Sequence, residues 1–122
     1  GAGQDLWLSL VEHVVIPVAR AFAPELVLVS AGFDAHAADP LAACRLQTSS
    51  FGELARHVRD LALECGAPLG LVLEGGYEPI SLAQSVRETL LAIGDERPRR
   101  TGAPELPETR AAITQLSPFW EL

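Results

Sequence analysis

The chain has 122 residues, enough for one small domain with a core of its own, and its 48% apolar content is too high for a disordered segment. A net charge of −7 excludes the basic surface that nucleic acid or an anionic membrane would reward. No apolar run approaches the roughly 18 residues of a membrane span, and no basic segment leads into an apolar stretch at residue 1, so neither a span nor a signal peptide is expected.

Two cysteines, Cys44 and Cys65, are too few for the dense disulfide framework of a small secreted domain. Their spacing fits no zinc motif, so both read as reduced thiols and a cytoplasmic home is the default. Methionine is absent, so the sequence is expected to be a processed, trimmed or partial piece of a reading frame.

In chain order, "DLWLSLVEHVVIPVARAF" (5–22) carries Trp7, Val11, Val14, Val15, Val18 and Phe22 at helical spacing. Asp5 suits its first turn, and Pro17 predicts a kink or break near Val15. A fully buried strand follows at Leu26 to Ser30, leaving through "SAG". A second helix spans about Ser49 to Cys65, capped by Ser49 or Ser50, with Phe51, Leu54, Ala55, Val58, Leu61 and Ala62 on one face and Gly66 as its stop. "APLGLVLEGGY" then gives a second buried strand at Leu69 to Leu73. A third helix runs from about Pro79 to Ile93, with Leu82, Ala83, Val86, Leu90 and Ile93 facing inward.

The order helix, strand, helix, strand, helix makes a right-handed parallel βαβ unit, an α/β fold. Residues 1–94 form this unit; 95–122 are a charged, proline-rich tail with a short helix at about Pro107 to Leu116. Two strands buried on both faces, each with an unpaired edge, suggest part of a larger doubly wound sheet.

Ligands of open parallel sheets bind at the carboxyl ends of the strands. Both polar loops leave from there, "SAGFDAHAADPL" and "EGGY", so Asp39 and Tyr77 are expected to face one crevice if the strands are neighbours about 5 Å apart. Proline at position 40 holds Asp39 extended, as suits a cation ligand, though a plain Asp-Pro turn fits as well. Asp34 reads as a residue that ties its own loop, and His36 as an exposed loop histidine. Gly75 and Gly76 let the backbone approach a ligand, and the Tyr77 hydroxyl could donate to a developing oxyanion or simply pack on the third helix. Glu74 and Glu78 flank the glycines and disfavour a phosphate cradle. His13, His57, Glu12, Glu53, Glu64 and Arg56 fall among polar helix positions and read as solvated.

Taken together, "LVLVSAGFDAHAADPLAACRLQTSSFGEL", "LVLEGGY" and "SLAQSVRETLLAIGD" strongly resemble the carboxyl-terminal part of the histone deacetylase family, nearest its class II and bacterial branch with the acetylpolyamine amidohydrolases. The resemblance covers about residues 3–94. It implies a partial arginase-like three-layer α/β sandwich and a zinc ion that serves hydrolysis of an acetylated lysine or polyamine. Carried over by motif, Asp39 is a zinc ligand, Tyr77 hydrogen-bonds the substrate carbonyl, Leu41 lines the acyl-lysine tunnel, and Gly75 and Gly76 form its wall. The family's Asp-x-His ligands and His-His base lie upstream and have no counterpart in these residues. A catalytic zinc site takes three protein ligands, so the chain alone is expected to be inactive unless an amino-terminal portion or a partner subunit completes it. Two alternatives are a non-catalytic binding or dimerising module, and a local metal site of Asp34, His36 and Asp39.

Overall fold

A computed structural model describes residues 1–121. The elements are α1 (Gln4–Leu10), a π-helical turn (Val11–Val15), α2 (Ile16–Phe22), β1 (Val27–Ala31), α3 (Thr48–Cys65), β2 (Leu69–Leu73), α4 (Pro79–Gly94) and α5 (Pro107–Leu116). β1 lies one residue later than its apolar run suggested. The interruption expected near Val15, a kink or a break, takes the form of the π-helical turn that ends at Val15 and leaves Pro17 in the first turn of α2. The chain stays helical through the wider turn and runs on until Ala23, whose left-handed φ of 52° ends it.

β1 and β2 pair in parallel, Val27 opposite Leu69 through Ala31 opposite Leu73. Trp7, Val29, Phe51 and Leu71 enclose the space between the sheet and its helices. The opposite face is bare: Leu28 is 64% exposed and Val72 54%, which corrects the expectation of strands buried on both sides. Alternation explains it, because helices cover only one face among the described residues.

α3 is the central helix. Its cap is Gln47, whose N–H donates to Ser50 Oγ at 3.1 Å, and Ser50 in turn donates to Gln4 Oε1 at 2.7 Å. α4 packs on it through small residues, Ser81, Ser85, Thr89 and Ala92, all buried. A Cβ on Gly52 of α3 would already lie 3.6 Å from the Glu88 carbonyl of α4, so this contact is close. Ala83 and Leu90, expected to face inward, are exposed; the seam selects small side chains over large ones.

Several helix residues expected in solvent are enclosed instead. His57 is fully buried and Arg56 nearly so. Arg56 pairs with Asp95 at 2.8 Å and Glu53 at 3.2 Å. His57 Nδ1 donates to the Glu53 carbonyl at 2.8 Å, with Nε2 3.3 Å from Glu12 Oε1. Glu12 Oε2 accepts the N–H groups of Gly102 (2.9 Å) and Ala103 (3.1 Å), and His13 Nε2 donates to the Ala103 carbonyl at 2.8 Å. Glu64, more exposed, still bridges Arg20 and Arg99. The cause is the segment after Gly94. It is bound over these faces, with Arg59 donating to the carbonyls of Asp95 and Arg97 and with Ser9 and Thr109 joined at 2.6 Å.

Candidate functional site

The parallel register puts both strand exits side by side, and the pairing continues past the strands. Glu74 N–H donates to the Ala31 carbonyl at 3.1 Å, and Phe33 N–H to the Gly75 carbonyl at 2.8 Å. The two polar loops therefore leave the sheet already joined. Phe33, against Phe51 at 5.0 Å between ring centroids, anchors the first loop in a core cluster with Ala35 and Leu46.

Asp39 is buried, at 6% exposure. Its Oδ1 accepts the Leu41 N–H at 2.9 Å, and its Oδ2 accepts the Tyr77 N–H from the other loop at 2.7 Å. Burial pushes this carboxyl upward. The N–H groups of Tyr77, Leu41, Ala42 and Glu78 outweigh that effect, so the group sits below the ordinary carboxylate range and is anionic at neutral pH. Tyr77 and Leu41 point outward, 55% and 71% exposed.

The glycines are required by contact. A Cβ on Gly75 would lie 2.7 Å from Asp34 Oδ1; Gly76 has a φ of +137°, and a Cβ there would meet Leu82 Cδ1 at 2.7 Å. Asp34 therefore lies beside Gly75, half-buried at the exits of both strands, and among the described residues its carboxylate makes no hydrogen bond of the kind expected for a residue that ties its own loop. Glu78 caps α4, accepting from Ile80 N–H at 3.2 Å and Ser81 N–H at 2.6 Å, which fills the helix start with a carboxylate and leaves no phosphate cradle.

His36 is buried, contrary to its reading as an exposed loop residue. Nδ1 accepts the Ala38 N–H at 3.0 Å and Nε2 lies 3.3 Å from Thr48 Oγ1, so both ring nitrogens are engaged. That removes the local metal site of Asp34, His36 and Asp39. Among the described residues no three of His, Cys, Asp and Glu converge as a metal-binding group. A complete zinc centre does not fit among the described residues; Asp39 is anionic, with its oxygens turned to backbone N–H groups of both loops.

With this geometry in view, comparison with known proteins settles the lineage. A model of the histone deacetylase domain matches residues 1–93. The chain belongs to the histone deacetylase family. It is 38% identical to the Mus musculus polyamine deacetylase HDAC10, over 98% of this chain and 18% of that protein. To the chloroplastic histone deacetylase 10 of Oryza sativa subsp. japonica it is 43% identical, over 75% of this chain and 21% of the relative. The solved HDA15 HD domain superposes on 98% of the chain with a TM-score of 0.82 at 30% identity, the match covering 33% of that structure. Deacetylase-like architecture is therefore established, and the chain spans about a fifth of the length of these curated relatives. The HDAC10 and HDA15 matches run past Gly94, where the sequence motifs had stopped. No helix among the described residues is long and apolar enough to cross a membrane.

Proposed function

We propose that this chain is the carboxyl-terminal, site-bearing part of a zinc-dependent deacetylase that hydrolyses the amide of an acetylated lysine or polyamine. The observation that carries the reading is the 2.7 Å bond from Tyr77 N–H to Asp39 Oδ2, at the carboxyl ends of two parallel strands. Asp39 would supply one zinc ligand. Two further ligands and a histidine base would come from sequence or a partner outside these residues, so the chain alone is inactive. Zinc would contribute Lewis-acid polarisation of the carbonyl and activation of water. The Tyr77 hydroxyl would donate to the carbonyl oxygen as charge develops there. Leu41, with Gly75 and Gly76, would form the wall along which the acylated amine enters. The acidic surface suits a cationic amine, and two free thiols suit a reducing compartment, the cytoplasm in our reading.

The test uses the longest reading frame that contains this chain, assayed on acetyl-lysine and acetylpolyamine reporters. Tyr77→Phe should lower kcat by about 10² to 10³. Asp39→Ala should abolish zinc retention and activity. Full kcat in Tyr77→Phe would defeat the proposal.

A further inference from the structure

Residues 95–109 lie across the helices as a strap, and the π-helical turn grips that strap at one peptide. Glu12 Oε2 accepts the N–H groups of Gly102 at 2.9 Å and Ala103 at 3.1 Å. The next residue, His13, donates from Nε2 to the Ala103 carbonyl at 2.8 Å. Gly102 holds a φ of +97°, a conformation that suits glycine and turns two successive N–H groups towards one anion. The other oxygen of Glu12, Oε1, lies 3.3 Å from Nε2 of His57, which is fully buried.

The two contacts of the His57 ring count its protons. Nδ1 stands 2.8 Å from the Glu53 carbonyl, which only accepts, so Nδ1 carries a proton. An unprotonated Nε2 would then turn its lone pair on a carboxylate in an enclosed site, where a low dielectric sharpens the repulsion. Burial raises Glu12, but the Gly102 and Ala103 donors outweigh it and keep the group ionised. Among the described residues Glu12 is the one charged group within hydrogen-bonding reach of the ring. Glu53 and Arg56 of α3 pair with each other and with Arg100 and Asp95, and His13 is turned to the strap.

We infer that His57 holds a proton on each ring nitrogen, and that this buried imidazolium, acting through Glu12, locks the strap onto the helices. When Nε2 loses its proton, its lone pair faces Glu12 and drives the carboxylate from the position in which it receives Gly102 and Ala103. The strap then loosens at its middle, while the Arg56–Asp95 pair and the Ser9–Thr109 bond hold its ends. Wherever the freed ring is neutral, the closed strap binds one proton more than the open one, so closure weakens as pH rises. At lower pH, protonation of Glu12 opens the same contact, and the strap is tightest in between.

Nitrogen chemical shifts of His57 in the full chain test this directly. At neutral pH both ring nitrogens should carry protons. Protection factors at the Gly102 and Ala103 amides, which already allow for base-catalysed exchange, should fall about tenfold as the ring titrates at higher pH, the loss of one hydrogen bond to a charged group. Glu12→Gln separates charge from shape. Its amide keeps a carbonyl oxygen for the strap and offers an N–H to Nε2, so a neutral ring satisfies every contact. In that variant Nε2 should be unprotonated at neutral pH, and protection at the two amides should no longer follow pH.

A proton on only one nitrogen of His57 in the unsubstituted chain at neutral pH would overturn the inference. So would protection at Gly102 and Ala103 that ignores the titration of the ring, or the same pH dependence in Glu12→Gln. The first two readings need no substitution, so they decide even where the variant fails to fold.

Discussion

Tyr77 donates its backbone N–H to Asp39 Oδ2 across 2.7 Å, joining positions 38 residues apart. The bond follows from the sheet. Ala31 and Leu73 are register partners, and the ladder continues through Phe33 N–H to the Gly75 carbonyl, so the loops start in contact. Once they are joined, a carboxylate three residues beyond His36 and an amide just after two glycines have little freedom to separate. The Asp39 carboxylate and the Tyr77 ring thereby share one locale without either side chain touching the other's functional end.

The two glycines should fail in different ways. Gly75→Ala presses a Cβ to 2.7 Å from Asp34 Oδ1, and Asp34→Ala in the same chain should recover most of the loss. Gly76→Ala strains the backbone at φ +137°, by about 1–3 kcal/mol, and truncating Leu82 should not rescue it. Urea denaturation of the single and double variants checks both statements.

Removing His57 should cost about 1–3 kcal/mol, because its fully buried ring bonds the Glu53 carbonyl and lies beside Glu12 Oε1, and truncation leaves a buried group there unpaired. Glu12→Ala should in addition speed amide exchange at Gly102 and Ala103, whose N–H groups lose their acceptor. Hydrogen exchange resolved at those two amides is the measurement.

Acid should unfold the chain through its bound carboxylates. Burial raises Glu12, yet the Gly102, Ala103 and His57 donors bring it below its ordinary 4.5; Asp95 is lowered chiefly by Arg56. In each case the unfolded group binds protons more readily than the folded one. This stabilisation is complete above about pH 4.5 and is lost as pH falls from there. Glu12→Gln together with Asp95→Asn should flatten the acid limb of a plot of melting temperature against pH.

The meeting of the two loops was legible in the sequence. Two apolar runs ending in polar, glycine-marked loops specify parallel strands with their chemistry at one end, and that places Asp39 near Tyr77. What could not be read depends on distant partners. The polarity of His57, Arg56 and Glu12 looks like a solvated helix face until residues 95–109 are laid over it. The small seam of Ser81, Ser85 and Thr89 carries no hydrophobic signal, so the larger Leu90 drew the inward assignment. His36 was misread because an imidazole that accepts an N–H two residues on resembles an Asx-type turn, a pattern usually sought only at Asp and Asn.

In the function proposed above, this chain would contribute one donor to a metal site that it cannot complete alone. Zinc content, measured by elemental analysis on the isolated chain and on the longest frame containing it, with deacetylase activity assayed on the same samples, tests this directly. The isolated chain should hold no stoichiometric zinc and show no activity, and the longer protein should hold zinc and be active. Stoichiometric zinc in the isolated chain, or neither signal in the longer protein, would contradict it.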